Sequence, residues 1–270
     1  MAVVLEGGCR VSEMREGEPL VAGTLRIWNR IGRATGAQAI SLRVIEFAPG
    51  MSPGIRNDDC DEILYVLDCE FQSPVHDEVS TTRVSGWVNA FIDGHLYNLD
   101  GDTGIYIRSG QTLAINNPGP DPIVLISSQC PDPNCPPQFV PAIITPSTDS
   151  SPPDRPPLVR LADRPAQPTA DRWYRVLVDD EVGSTQVTQF VGSIPPGRAP
   201  DHFHNYEEVL FILKGEGRMW AGATSTPIAP GSCIYLPKGQ VHCVENTGST
   251  ELRLLGVFYP AGSPSVRYET

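Results

Sequence analysis

The sequence predicts an all-β protein made of two barrel- or sandwich-like domains related by internal duplication. Three observations point there. Short segments rich in Val, Ile, Leu and aromatic residues recur with turn signals about every 8–12 residues, the pattern of antiparallel barrels and sandwiches. No stretch shows helical periodicity of useful length. DEILYVLDCE at 61–70 can be laid on EEVLFILKGE at 207–216, and such a repeat decides the architecture before any strand is counted.

Residues 1–22 are polar and glycine-rich and read as an arm or a loose first strand. Segments 24–29 and 38–48 alternate as strands do, and Ala48-Pro49-Gly50 ends the second. A turn-rich loop then leads into the first copy of the repeat. An insertion is expected around 72–86, carrying His76, and His95 sits in a hairpin whose turn is Asp93-Gly94. Both histidines read as surface residues. After a strand at 123–128, residues 131–169 hold 12 of the 27 prolines, which predicts a stiff, ordered strap. The second copy follows, with strands expected at 173–178, 186–194, 209–213, 218–220, 233–236, 241–245 and 251–259. The expected organisation is an N-terminal barrel at 1–130, a strap at 131–169 and a C-terminal barrel at 170–270.

A net charge of −12 argues against nucleic acid or an anionic membrane as partner. The N-terminus has no basic region followed by an apolar core, and no apolar run reaches the roughly 18 residues of a membrane span. A cytoplasmic protein is expected, and a homo-oligomer is left open. The seven cysteines include no zinc-type pair. Cys130 and Cys135 are either loop thiols or a local disulfide, and the lack of a secretion signal favours thiols.

The chemistry concentrates in PGRAPDHFHNYEEVLFILKGEG and PGSCIYLPKGQVHCVEN, between 196 and 246. His202 and His204 are two apart beside a strand, so both imidazoles can face one point. Glu208 opens that strand, and His242 lies in the second segment. Three neutral imidazoles and a carboxylate suit one divalent transition metal: Fe, Mn, Ni, Co, Cu or Zn.

These segments resemble the two motifs of the cupin superfamily. Gly197, His202, His204, Glu208 and Gly215 match the first, and Gly231, Pro237, Gly239, His242 and Asn246 the second. One loop, between Gly197 and His202, is a residue shorter than usual. The resemblance implies two cupin-type β-barrels (double-stranded β-helix, or jelly roll). It also implies a metal held by His202, His204, Glu208 and His242, with open positions for a small-molecule substrate. In the first copy the alignment puts Arg56, Asp58 and Leu113 at the histidine positions and keeps only Glu62. The N-terminal barrel is therefore expected to lack metal, with the acidic run at 57–61 a solvated loop and, as the alternative, Arg56 facing Asp58 and Glu62 as a buried ion pair.

Fold alone does not give the reaction. Phe190, Tyr206, Phe211, Met219, Trp220, Tyr235 and Phe258 are candidate pocket walls, and Arg198, Arg218 and Lys238 candidate anion-holding cations. No proton acceptor is placed beside the histidines, since Glu207 should face away from Glu208. On that ground the leading expectation is a dioxygenase-type oxidoreductase acting on a small oxygenated or aromatic molecule. The alternatives are a non-redox metal enzyme (isomerase, lyase, decarboxylase or hydrolase), or a metal-binding or storage protein of two cupin domains.

Overall fold

In a computed structural model of the chain, residues 1–67, 88–147, 154–169 and 171–265 are described. The insertion at 72–86, with His76, lies outside them. Four antiparallel sheets make two β-barrels. In the N-terminal barrel the larger sheet runs in the order Leu158–Arg160, Thr103–Ile107, Asp61–Val66, Ile123–Cys130, Leu42–Phe47, Leu25–Ile31, Leu20–Ala22. The larger C-terminal sheet runs Arg10–Glu13, Ser232–Leu236, Glu207–Lys214, Leu252–Tyr259, Thr188–Ile194, Arg172–Val178, Gln167–Thr169, with Val3–Val4 added beyond Arg10–Glu13. The two orders correspond strand for strand, as a duplication requires. The smaller C-terminal sheet is Gly197–Arg198, His242–Asn246, Gly217–Ala221, Thr224–Ile228.

The barrels exchange edge strands. The arm at the start of the chain, placed by the sequence with the N-terminal half, pairs with the C-terminal strand Ser232–Leu236. Leu158–Arg160 of the strap reciprocates by pairing with Thr103–Ile107. The physical reason is the same on both sides: an edge strand presents unpaired N–H and C=O groups, and a segment from outside that barrel satisfies them.

Strand alternation sorts the side chains. Along Glu207–Lys214, Leu210 and Ile212 face the C-terminal barrel interior, while Val209 and Phe211 join a core shared between the barrels. That shared core also takes Trp28, Val44, Ile63 and Tyr65 from the N-terminal half. Glu207 faces outward from its barrel, as the alternation requires. Its carboxylate accepts from the Gln38 and Ala39 backbone N–H groups at 2.8 and 2.6 Å, and from the Tyr235 hydroxyl. Asp61 holds the matching place in the other barrel, accepting from the Tyr106 hydroxyl at 2.9 Å. Cys130 and Cys135 are free thiols, Cys130 buried and Cys135 exposed. Among the described residues, no helix is long and apolar enough to cross a membrane.

Candidate metal centre

His202 and His242 are brought together by backbone pairing. The His202 N–H donates to the His242 carbonyl at 3.1 Å, and the His242 N–H to the His202 carbonyl at 2.8 Å. Directly opposed residues share a face, and the ring centroids are 4.6 Å apart. His204 joins them at 5.0 Å from His202 and 5.2 Å from His242. A tight turn sets its backbone: Gly239, at φ +78°, donates its N–H to the His204 carbonyl at 2.8 Å. Gln240 closes that turn on Pro237, and glycine suits its left-handed third position. The three imidazoles offer ligand atoms within 4.8 Å of one another.

Hydrogen bonds fix which nitrogen is free. His202 Nδ1 lies 3.0 Å from the Pro200 carbonyl oxygen and His242 Nδ1 2.8 Å from that of Gln240. A carbonyl only accepts, so each Nδ1 carries the proton and each Nε2 keeps its lone pair. Burial, followed by the neighbouring His202, pushes His242 down to about 4, so its ring is neutral at pH 7.

Glu208 lies beside the group, with Oε2 3.5 Å from His204 Nε2. It is buried, and burial alone pushes its carboxyl up to about 8. A carboxylate in this setting calls for a cation. Three neutral imidazole donors and this carboxylate fit one divalent transition metal.

The group opens onto a cavity of about 110 Å³ inside the barrel. Of the walls expected from sequence, Phe190 lines it. Tyr206 and Phe258 lie behind the ligands: Tyr206 stacks on His204 at 4.8 Å and on Phe258 at 4.5 Å. Met219 is in the barrel core, and Phe211 and Tyr235 are in the core between barrels. Trp220 bonds Glu245 and lies under Arg198, away from the cavity.

The cations expected from sequence do not line this space. Arg198 reaches Cys243 and Asp201, and Arg218 reaches Ser225. The cation lining the cavity is Arg172, which sequence reasoning missed. Its side chain is 13% exposed and its Nε donates to Asp171 at 2.9 Å. Sequence carried no signal for it: Arg172, Trp173 and Tyr174 all line the cavity, so strand alternation does not single it out.

The N-terminal barrel shows what replaced the site. Leu113 pairs with Ile55, as His242 pairs with His202, and the Gly110 N–H donates to the Asn57 carbonyl, as Gly239 does to His204. The histidine positions are therefore Ile55, Asn57 and Leu113. The expected Arg56 and Asp58 are off by one, because one extra residue separates this pair from Glu62. The ion pair also differs from expectation. Arg56 bonds Asp58 at 2.7 Å near the surface, whereas Glu62 pairs with buried Arg43. Ser127 adds a hydrogen bond to Glu62 at 2.6 Å, and Asn57 adds another. By strand register Arg43 stands where Phe190 stands in the other barrel, and Ser127 where Gly256 stands.

Comparison with known proteins agrees with this geometry. Residues 190–258 match the family model described as cupin domain. The oxalate-binding protein of Thermotoga maritima is 38% identical over 66 residues, covering 24% of this chain and 54% of that protein. Auxin-binding protein 1 of Arabidopsis thaliana is 32% identical over 83 residues, covering 27% of this chain and 42% of that protein. The chain thus spans about half the length of these curated relatives. A mutant oxalate decarboxylase of Bacillus subtilis superposes with a TM-score of 0.71 at 12% identity, covering 93% of this chain and 77% of that one. That likeness concerns the fold and takes in both barrels. Residues 190–258 thus carry a cupin domain with both motifs intact, and the chain as a whole has the fold of two cupin-type β-barrels.

Proposed function

We propose that the C-terminal barrel is the catalytic half of a metal-dependent, non-redox enzyme that decarboxylates or otherwise cleaves a small carboxylate. Its ligands are His202, His204, Glu208 and His242. The 1–130 half and the 131–169 strap support it. The observation that carries the reading is the cavity: about 110 Å³, walled mainly by apolar side chains, with the three imidazoles and Glu208 on one side and Arg172 as its lining cation. A space of that size is a few water volumes, since one water takes roughly 30 Å³. It suits a small substrate. The names of two similar proteins, an oxalate-binding protein and an oxalate decarboxylase, point to the same class of molecule. This favours the non-redox alternative over the dioxygenase expectation.

A divalent ion bound there supplies Lewis acidity to a coordinated carboxylate oxygen. The chain's own groups do the rest. Arg172 offers a planar fork of donors matched to a second carboxylate oxygen pair. Phe190, Leu210 and Leu254 restrict water around the reacting carbon. Ser193 lines the cavity and donates to Glu251 Oε2 at 2.7 Å. That bond holds Glu251 ionised, below the usual carboxylate range, and the proton that replaces the lost carboxyl group comes from solvent.

The test is turnover of oxalate and related small mono- and dicarboxylates by metal-loaded protein, with carbon dioxide release and dioxygen uptake measured together. Carbon dioxide release without net dioxygen consumption is expected. Stoichiometric dioxygen uptake would return the reading to an oxygenase, and no turnover across the series would reduce it to a binding protein.

A further inference from the structure

A second cavity lies away from the metal centre. It lies between the barrels, has a volume of about 430 Å³, and is lined by Asp100, Asp102, Arg160, Trp173, Arg175 and Arg253 among others. Ligand sites occur preferentially at domain interfaces, and this volume is in their usual range of roughly 300–1,000 Å³. In a chain of net charge −12, three guanidiniums converge here from three separate segments: the strap, the strand Arg172–Val178 and the strand Leu252–Tyr259. Two of them flank one indole, with Arg175 at 5.4 Å and Arg253 at 5.7 Å from the Trp173 ring centroid.

The donors are only partly used. Arg160 pairs with Asp100, and Arg253 with Glu251 at 2.6 Å. Asp102 turns to the N-terminal barrel, where Oδ1 accepts from the Tyr65 hydroxyl at 2.5 Å. Arg175 has no carboxylate partner among the described residues; its Nη1 donates to the Leu161 carbonyl at 2.9 Å. The Nε atoms of Arg175 and Arg253 are buried and have no hydrogen-bond partner among the described residues. A guanidinium carries five N–H donors in a fixed fork, and the Arg175 and Arg253 side chains line the same space from two strands.

We propose that this interbarrel groove is a second binding site, for a small organic anion bearing carboxylate or phosphate groups, separate from the metal cavity. Arg175 and Arg253 grip the anionic groups, and Arg160 exchanges Asp100 for the ligand. Trp173 lines both the groove and the metal cavity, and the two sites are otherwise separate.

Isothermal titration of metal-loaded protein with succinate and, separately, inorganic phosphate at low ionic strength tests this. A saturable site that persists in His204→Ala is expected for at least one of the two anions, weakening as salt rises. Tighter succinate binding assigns a carboxylate ligand, and tighter phosphate binding a phosphate ester. Arg175→Gln and Arg253→Gln should each weaken it about tenfold or more, as loss of a charged hydrogen bond implies. Arg175→Lys, with circular dichroism, separates a lost contact from a lost fold. His204→Ala, which removes a metal ligand, should leave the binding unchanged. Absence of saturable binding, equal binding by both glutamine variants, or loss of binding in His204→Ala would overturn the proposal.

Discussion

Glu62 and Glu208 occupy the same place in their two barrels, and the difference between them lies in where the compensating cation comes from. In the N-terminal barrel the chain supplies it. Arg43 is buried against Glu62, with Ser127 and Asn57 closing the remaining lone pairs. In the C-terminal barrel the equivalent of Arg43 is Phe190, Asn57 becomes His204, and among the described residues no arginine pairs with the carboxylate. Burial then drives Glu208 toward its neutral form, and three imidazole lone pairs face the same point. One barrel carries a permanent internal cation and is filled with side chains. The other leaves room for a cation from solution and for a substrate beside it.

The strongest way to break the comparison is to remove the internal cation. Arg43→Ala leaves Glu62 buried without a counter-charge, and should cost about 3–5 kcal/mol in urea unfolding of the N-terminal barrel. Arg56→Ala, at the surface pair first expected from sequence, should not move the midpoint measurably. Equal effects of the two would mean that Arg43 does not act as the substitute cation.

A smaller effect should appear as a pH dependence confined to the C-terminal barrel. Glu208 is raised in the folded state, so in metal-free protein its contribution to stability is fully present below about pH 4.5 and is lost as pH rises toward about 8. His242 is depressed to about 4 from 6.5, so its contribution is lost in the opposite direction, as pH falls below 6.5. Between pH 6.5 and 8 only the Glu208 slope remains. Chelator-treated protein should lose on the order of 2 kcal/mol across that window. Glu208→Gln should abolish the slope, and metal should flatten it by holding the carboxylate ionised. A Glu208→Gln protein with the same slope would contradict the assignment.

The smallest effect concerns the space beside the ligands. A Cβ on Gly256 would stand 2.3 Å from Phe190 Cε1 and Cζ, whereas Ser127 is tolerated in the N-terminal barrel beside Arg43. Gly256→Ala should push Phe190 into the cavity, costing about 1–3 kcal/mol by overpacking. Metal content should stay while carboxylate binding falls. Calorimetry with oxalate on the metal-loaded variant checks both.

Much of this was legible in the sequence because it was local. The strands announced themselves by alternation, the duplication by the match of 61–70 to 207–216, and the ligands by spacings that backbone pairing then converted into proximity. What was not legible depended on register and on distance along the chain. One extra residue before Glu62 shifted the N-terminal alignment, so Arg56 was set where Ile55 lies. Arg43 and Arg172 reach their sites from neighbouring strands, and no local pattern marks them. The exchange of edge strands was hidden because the arm carries no sign of which sheet it completes.

The central claim is that metal belongs to one barrel only, and elemental analysis of purified protein and its variants tests it most directly. One divalent transition-metal ion per chain is expected in the parent, close to none in His204→Ala and His242→Ala, and an unchanged single ion in Asn57→Ala. Two ions per chain, or one ion surviving both histidine substitutions, would contradict the account.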